Sequence, residues 1–459
     1  MLNKHAAGVL GAALMLFFIP VMAQEPEQQV EKAVTDVPGL RQQASQAFSD
    51  KDYEAFRQAM VQLHALRPNN SDYMYRLVLA HALLDEKSAA FDIMLQMQRQ
   101  GLSYDFNQSD ESANIRGFQL YDYLNGLMIS AGEPVGTVKA VTTLAADVVI
   151  PMAIEWDAGR EVFLVGTVSD GSIIAVARDG TSELLIRADE SNRIWGIYAL
   201  VVDLPRNRLW ASSAANERFS GFDPVDRGRS ALLEFDLESM ELIRRYPVPV
   251  DGRPHRLGNM ALAPNGDLYV ADSILPMIYV RRADQQKLKP YYTSRSMVNL
   301  RGMDISDDGK MLYVADYEMG IVVIDLELNE SYHLGIPDML NLGGIDGLNY
   351  WAGHLVVIQN GIKPQRIMSL KLDESGRGVS NVAPLAVALE IMDFPNYGTV
   401  VGDELFFFAN SHWGSASRFK PVTIASTVLS DVPVIISPDM KKFLEYQAQL
   451  QKRPPVKNN

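Results

Sequence analysis

Apolar and polar residues alternate through the second half of the chain in a pattern that repeats. The clearest copies are residues 258–272 and 301–316, in which two strand-like runs flank a glycine-containing turn. Both copies end in Val-Ala-Asp, at Asp272 and Asp316, and we expect these aspartates to form turn hydrogen bonds within the repeat. A strand-turn-strand unit that recurs at about 40 to 45 residues is typical of the blades of a β-propeller.

Units of this kind can be aligned from residue 136 to residue 437. Their first strands begin near Met152, Tyr198, Gly258, Arg301, Asp346 and Asn396. Six four-stranded sheets around an axis leave no long free edge. The segment near residues 139–144, which precedes the first unit, is predicted to complete the sixth sheet and close the ring. The second unit carries a long insertion over residues 212–230.

Residues 37–132 show helical spacing instead. Apolar residues recur three or four positions apart in two helix-turn-helix units, 37–66 and 71–97, and a further helix is predicted over 118–131. The unit length resembles that of tetratricopeptide repeats, roughly 34 residues, but the tryptophan and glycine usual in their first helix are missing. A generic array of helical hairpins is the alternative. His81 and the nearby methionines are expected in the core.

The predicted fold class is therefore multidomain α plus all-β. A short tetratricopeptide-like helical-repeat domain, residues 37–132, precedes a six-bladed β-propeller, residues 136–437. Residues 24–36 are polar and acidic and are interpreted as a linker, and residues 438–459 as a C-terminal helix and tail. Since each part has its own repeat-built core, we expect the two to be separable near residues 132–136.

The first 23 residues have the features of an export signal. Lys4 lies in a short basic start, an apolar run covers residues 6–21, and Ala23 follows as a small residue suited to cleavage. An uncleaved membrane anchor is the alternative, because the run is nearly long enough to span a bilayer. We expect a cleaved signal peptide, a periplasmic or secreted protein, and no membrane span in the mature chain.

Composition excludes several classes of function. The chain has 459 residues, no cysteine and a net charge of -14. Without cysteine there is no disulfide, iron-sulfur cluster or thiol nucleophile. Affinity for nucleic acid comes mainly from Lys and Arg that neutralise phosphates, so nucleic acid is not expected as a partner.

Three short runs carry a family resemblance. Residues 259–272, Trp156-Asp157 and Asp346-Gly347-Leu348 resemble the senescence marker protein (regucalcin) and gluconolactonase family, and more distantly the strictosidine-synthase-like and paraoxonase propellers. The resemblance covers residues 136–437. It implies a divalent cation, usually calcium, that is held at the mouth of the central tunnel by the first residues of several inner strands. This cation would activate water or polarise a lactone or ester carbonyl.

The candidate metal ligands are Asp346, Asn396 and Asn259. Asp346 falls where the family has an aspartate, and Asn396 occupies the equivalent position one blade on, by its spacing to the next strand. A propeller brings one residue per blade to its axis, and calcium prefers several oxygens that converge from different directions. Met152 stands where the family has a glutamate, and a thioether is a poor calcium ligand. Glu155, three positions along the strand, is not expected to reach the same spot. Asn259 is offset by one position from the family's asparagine.

Arg301 begins the strand next to that of Asp346. A guanidinium beside Asp346 would neutralise it and favour a carboxylate or phosphate ligand over a metal. Three hypotheses stay open: a calcium site, a metal-free ligand site, and a purely structural pair of Arg301 and Asp346. Tyr198 and Tyr397 are the aromatic candidates for contact with a ligand.

Asp346 and His255 are the candidate catalytic residues. His255 lies in a polar loop before a strand, and an imidazole has the ordinary pKa of a general base. His412 lies in a similar loop. No Gly-x-Ser-x-Gly motif occurs, so a serine hydrolase is not expected.

Two classes of function follow. The first is an exported hydrolase that acts on a lactone or small ester, with calcium and a small-molecule site at the tunnel mouth. The second is a non-enzymatic propeller that binds a small molecule or an envelope protein, with the helical repeats as a second docking surface for a protein partner. Convergence of the oxygens of Asp346, Asn396 and Asn259, with Arg301 turned away, would favour the enzyme.

Overall fold

The computed structural model describes residues 36–412 and 420–430, which form five α-helices followed by twenty-five β-strands. The predicted signal peptide (1–23), the linker up to residue 35 and the C-terminal segment (438–459) lie outside the described residues. None of the described helices combines the length and the apolar character that a membrane span requires.

The helices come first and match the predicted hairpins. They are α1 (Val37–Ser49), α2 (Tyr53–Leu66), α3 (Ser71–Leu83), α4 (Lys87–Arg99) and α5 (Gln119–Ser130), with short 3-10 turns at Phe106–Gln108 and Asp110–Ile115. The first three begin at side-chain caps, because Asp36, Asp52 and Asn70 each accept a hydrogen bond from a backbone N–H in the first turn. Residues 50–52 separate the first two helices.

The helical core is built as expected. Met74, Met94 and Met97 are buried, and the His81 ring is buried with Nδ1 2.6 Å from Oε2 of Glu86. A flexible thioether fills irregular space between helices, which explains the concentration of methionine here.

Six sheets follow, and they confirm the six-bladed propeller. Two short strands, β1 (Val135–Gly136) and β2 (Lys139–Thr143), precede the blades. Blade one contains β3 (Pro151–Asp157), β4 (Val162–Thr167), β5 (Ile173–Val176) and β6 (Ser182–Ile186); blade two contains β7 (Gly196–Asp203), β8 (Arg208–Ala214), β9 (Ser230–Asp236) and β10 (Leu242–Pro247). Blade three contains β11 (Leu257–Leu262), β12 (Leu268–Asp272), β13 (Met277–Arg281) and β14 (Leu288–Thr293); blade four contains β15 (Leu300–Ile305), β16 (Met311–Asp316), β17 (Gly320–Asp325) and β18 (Glu330–His333). Blade five contains β19 (Ile345–Trp351), β20 (His354–Gln359), β21 (Arg366–Leu372) and β22 (Val379–Val387); blade six contains β23 (Gly398–Val401), β24 (Glu404–Phe408) and β25 (Thr423–Val428).

The ring closes through the strand that precedes blade one. Strand β2 pairs antiparallel with β25 and becomes the outermost strand of blade six, as the sequence predicts. Between blades one and six the Phe163 and Phe406 rings pack with centroids 5.0 Å apart. Strand β1 pairs with β22 and adds a fifth strand to blade five, so the chain enters the propeller through that blade.

The repeated aspartates form the turns that the sequence predicts. Oδ1 of Asp316 accepts from the backbone N–H groups of Glu318 and Met319, and Oδ1 of Asp272 accepts from those of Ile274 and Leu275. Both carboxylates are fully buried, so these bonds hold the hairpin after the second strand in place.

The helical region docks against one end of the propeller. The innermost strand of each blade, which is its first strand in the sequence, begins at this end. The loop that leads into each blade and the hairpin between its second and third strands therefore lie at the same end. The side chain of Arg67 pairs with Glu318 in the β16–β17 hairpin, and the amide of Asn69 donates to the carbonyl of Met319 at 3.1 Å. The backbone N–H of Ser103 donates to the carbonyl of Lys363 at 2.8 Å.

A buried arginine is at the centre of this interface. Arg366 on β21 is 5% exposed and donates to the carbonyls of Gln100 and Asn341 and to the side chain of Gln359. Gln100, from the end of α4, also accepts from the side chain of Asn341 at 3.0 Å. Burial lowers the pKa of Arg366 to about 10. The two parts therefore share a buried polar network, which the repeat pattern did not predict.

Candidate functional site

The first residues of the inner strands form the mouth of the axial tunnel. In blades one to five the pairing register shifts at this point, between Pro151 and Ala153, Ile197 and Ala199, Leu257 and Met260, Leu300 and Met303, and Ile345 and Gly347. A β-bulge releases a side chain from the strict alternation of a strand and turns it in a new direction. The bulges hold Met152, Tyr198, Asn259, Arg301 and Asp346. The one-position offset of Asn259 therefore lies within a bulge, and Asn259 lines the tunnel together with Met152 and Tyr397.

Arg301 faces Asp346 and is not turned away from it. Nε of Arg301 is 3.7 Å from Oδ1 of Asp346, and the two side chains are 26% and 13% exposed. The guanidinium also lies 5.3 Å from the centre of the Tyr317 ring, and Tyr397 lies beside it. Burial opposes the charge of Arg301, but the neighbouring Tyr397 and Asp346 outweigh this effect, so the pKa of Arg301 lies above its ordinary value.

The other carboxylate oxygen of Asp346, Oδ2, forms a hydrogen bond within the protein. Oδ2 accepts from the side-chain amide of Asn360 at 2.9 Å, and this amide also donates to the carbonyl of Pro395. The hydroxyl of Tyr317 donates to Oδ1 of Asn360 at 3.0 Å. Asp346 is thus fixed in orientation, while its Oδ1 has no hydrogen-bond partner among the described residues.

Asn396 offers a second free acceptor. It is 1% exposed, and its Nδ2 lies 3.9 Å from the sulfur of Met152. Its Oδ1 has no hydrogen-bond partner within the described parts of the chain. A buried polar atom without a partner costs free energy, so this oxygen is suited to receive a donor from a ligand.

Aromatic and apolar side chains form one wall of the mouth. Met152, Tyr198 and Tyr397 are buried in one cluster. The side-chain amide of Asn216 donates to the Tyr198 hydroxyl at 2.6 Å, and the Arg256 guanidinium lies 5.7 Å from the centre of the Tyr198 ring. The structure therefore brings both predicted tyrosines to the mouth and adds a second cation, Arg256.

His255 lies elsewhere. Its Nδ1 is 2.7 Å from Oδ2 of Asp272, and its Nε2 is 3.0 Å from Oδ1 of Asp251. The ring is buried in the wall of a surface cleft beside blade two, and both nitrogens already face carboxylates. Similarly, Nδ1 of His412 accepts from the backbone N–H of Ile150. The structure does not gather either histidine with Asp346.

Below the mouth, the tunnel encloses a cavity of about 260 Å³. Glu155 from blade one and Asp304 from blade four, on opposite sides of the axis, line it. Burial raises the pKa of Glu155 to about 7, and hydrogen bonds from the Trp156 N–H and the Thr399 hydroxyl offset only part of this rise. Burial likewise raises the pKa of Asp304 to about 6.

The mouth does not fit a calcium site. Asp346 is the one carboxylate among the inner-strand starts, and a guanidinium lies 3.7 Å from its free oxygen. Within residues 36–412 and 420–430, no three His, Cys, Asp or Glu side chains are grouped closely enough to hold a metal ion. Calcium needs several anionic or neutral oxygens, and a fixed positive charge beside the carboxylate opposes its binding.

Sequence reasoning missed three residues of the mouth: Arg256, Tyr317 and Asn360. Tyr317 and Asn360 each follow the second strand of a blade by one position. The second strand of each blade ends beside the start of the inner strand. The residue that follows each second strand could therefore have been predicted to lie at the mouth. Arg256 directly precedes β11, next to the histidine that the sequence singled out.

These features define a six-bladed β-propeller with a polar, partly cationic mouth at one end of its axis. No protein-family model matches the sequence, and no curated protein is detectably similar to it. Similar solved structures include a luciferin-regenerating enzyme, with 14% identity, a TM-score of 0.46, and coverage of 66% of this chain and 98% of that one. The PQQ-bound aldose sugar dehydrogenase of Streptomyces coelicolor shows 14% identity, a TM-score of 0.45, and coverage of 64% and 100%. A protein provisionally named as a gluconolactonase shows 14% identity, a TM-score of 0.44, and coverage of 65% and 100%. At this level of identity and overlap, the likeness does not extend to activity.

Proposed function

We propose that the mouth of the propeller binds a small organic anion that also carries hydrogen-bond donors, and that it does so without a metal ion. The observation that carries this proposal is the position of Arg301, which faces into the mouth beside Asp346. The proposal corresponds to the metal-free ligand site among the hypotheses drawn from the sequence.

The charge of the mouth supports an anionic ligand. Arg301 and Arg256 both approach Tyr397, and a single carboxylate, Asp346, lies beside them. Two guanidinium groups and one carboxylate leave a positive balance at a site in a chain whose net charge is -14. Arginine presents a planar fork of donors that matches a carboxylate or phosphate.

The free acceptors support a ligand with donors of its own. Oδ1 of Asp346 and Oδ1 of Asn396 have no hydrogen-bond partner among the described residues. A hydroxyl or ammonium group on the ligand would satisfy both, whereas a simple anion would leave them unpaired. Met152 and Tyr198 provide apolar surface for the carbon skeleton.

Calcium-dependent hydrolysis of a lactone or ester needs a cation at this same place. Arg301 opposes it, so we favour binding over hydrolysis. The predicted signal peptide supports a role outside the cytoplasm. The helical region, docked at the same end as the mouth, gives a second surface for a protein partner, as the sequence suggests.

Calorimetry with tartrate and succinate tests the proposal, because the two dicarboxylates differ by two hydroxyl groups. We expect tartrate to bind the wild-type protein more tightly than succinate. Arg301→Gln should weaken both by roughly 10-fold or more, the effect of losing one charge-assisted hydrogen bond. Asn396→Leu should narrow the difference in affinity between tartrate and succinate, because one of the two free acceptors is removed.

Arg282→Gln is the matched control. Arg282 also pairs with an aspartate, Asp267 at 2.7 Å, and lies over a tyrosine ring, Tyr291 at 5.5 Å, but at the opposite end of the propeller. It should leave both affinities unchanged. Equal affinities for the two dicarboxylates, or affinities that Arg301→Gln leaves unchanged, would show that the proposal is wrong.

A further inference from the structure

A second, larger cavity opens at the same end of the propeller, displaced from the axis towards blade two. Its volume is about 1450 Å³. The loops that enter blades two and three form its walls together with the long insertion between β8 and β9. We call this cavity the blade-two cleft.

Three arginines and Asp226 lie together in the wall of this cleft, which Asp189 and Glu190 also line. Arg193, Arg229 and Arg245 all lie close enough to Asp226 or to one another to interact electrostatically. Nη1 of Arg229 is 3.0 Å from Oδ1 of Asp226. The indole N–H of Trp195 donates to Oδ2 of the same carboxylate at 3.2 Å. Asp226 is therefore already engaged through both oxygens.

Arg245 is the least exposed of the three arginines. Among the described residues it forms no ion pair, and its guanidinium donates to the backbone carbonyl of Arg193. It lies over the Trp195 ring, 4.1 Å from the ring centre. Burial, together with repulsion from Arg193 and Arg229, lowers the pKa of Arg245 to about 10. A second anion in the cleft would relieve this repulsion.

Apolar side chains border the arginines. Val225 and Val250 are 67% and 91% exposed, and Pro247 and Pro249 also line the cleft. A positive cluster with an apolar rim is suited to a ligand that has an oxyanion at one end and a carbon skeleton behind it.

We infer that the blade-two cleft is a second anion-binding site, in which Arg245, Arg193 and Arg229 bind the phosphate or carboxylate group of an organic ligand. It is separate from the mouth, because its cations come from the outer strand and the loops of blade two and not from the inner-strand starts. Asp226 competes with the ligand for the same guanidinium groups.

That competition gives the proposal its sharpest test. Binding of inorganic pyrophosphate and of citrate is measured by calorimetry at low salt, with tryptophan fluorescence as a second readout because Arg245 lies on Trp195. We expect Arg245→Gln to weaken binding by roughly 10-fold or more. We expect Asp226→Asn to strengthen it, since the internal anion is removed while the amide oxygen can still accept from Trp195. A purely structural role for Asp226 would not produce tighter binding.

Two controls separate this site from other effects. Arg178 also lies over a tryptophan, 5.2 Å from the Trp156 ring centre, so Arg178→Gln should leave binding at the cleft unchanged. Arg301→Gln should weaken binding at the mouth and leave the cleft unaffected, so the two proposals can fail independently. Binding of pyrophosphate alone would indicate a phosphate ligand, and binding of citrate alone a carboxylate ligand. If neither probe binds, or if Asp226→Asn does not strengthen binding, the inference is wrong.

Discussion

Nε of Arg301 lies 3.7 Å from Oδ1 of Asp346, across the boundary between the inner strands of blades four and five. Neither atom has a hydrogen-bond partner among the described residues. The two charges therefore compensate one another without forming a full hydrogen bond. A ligand at the mouth can satisfy both groups without first breaking a strong internal contact, and this arrangement makes the pair suitable for binding.

The same pair yields a prediction about calcium. If calcium binds Asp346, Arg301→Ala should raise the calcium affinity by roughly 10-fold or more, because a like charge about 4 Å from the site has been removed. Asp346→Ala should abolish binding in either background. Calorimetry with calcium on the three variants measures this. Tight wild-type binding that weakens in Arg301→Ala would contradict both the metal-free and the calcium interpretation and assign Arg301 a structural role.

The buried carboxyl group of Glu155 predicts a pH-dependent stability. Its pKa rises from 4.5 to about 7 in the folded protein. Between these two pH values the folded state therefore holds a proton that the unfolded state has released. The stability that this proton supports is fully present below about pH 4.5 and is lost as the pH rises through about 7. Glu155→Gln keeps an acceptor for Trp156 and Thr399 but never ionises. We therefore expect this variant to be more stable than wild type by up to about 3 kcal/mol near pH 8, and the difference to vanish near pH 4.

Denaturant unfolding across this pH range measures the effect. Glu183→Gln, on the exposed outer strand of the same blade, is the matched control and should show no such trend. A difference between Glu155→Gln and wild type that stays constant with pH would contradict the prediction.

Close contact between neighbouring inner strands predicts that Gly302 cannot be enlarged. A Cβ at Gly302 would lie 2.4 Å from the backbone nitrogen of Leu348 in the next blade. Since backbone cannot move aside easily, Gly302→Ala should destabilise the protein by about 2 kcal/mol or more. Gly258→Ala, at the inner-strand start of blade three, has no neighbour closer than 3.8 Å and should be nearly neutral. Thermal unfolding of the two variants checks this, and equal melting temperatures would show the prediction to be wrong.

The buried network around Arg366 predicts that the helices and the propeller unfold together. Arg366→Leu would leave the buried backbone carbonyl of Gln100 and the side-chain oxygen of Gln359 without their donor, at a cost of about 2 to 4 kcal/mol. Arg377→Leu breaks a more exposed pair with Asp325 and should cost about 1 kcal/mol or less. We expect a single unfolding transition in wild type. A stable propeller fragment from residue 136 onward in limited proteolysis would instead support the separability that the sequence predicts.

Much of the architecture could be predicted because it depends on local periodicity. Alternation with a glycine turn specifies a strand pair wherever it occurs, and its recurrence specifies the number of blades. Helical spacing and the capping residues Asp52 and Asn70 specify the hairpins in the same way. The closing strand, β2, was predictable because a propeller must cover its last edge.

The side-chain geometry of the candidate site could not be predicted from the periodicity of the sequence. Alignment of the inner-strand starts identified Arg301, Asp346 and Asn396, because each blade contributes the same position to the axis. It could not give the direction of Arg301 or the bulge that carries Asn259, since a bulge changes the side-chain direction without changing the apolar pattern.

The sequence by itself thus determined the order and number of repeats, and with them which residues approach the axis, because these follow from spacing along the chain. Only the tertiary structure decided which charges meet. Arg301 lies against Asp346, Arg366 lies beneath the helices, and Arg245 lies against Trp195 through contacts between segments far apart in sequence. The net charge at the mouth, at the interface with the helices and in the blade-two cleft depends on those contacts. Whether the mouth favours a metal ion or an anion depends on them as well.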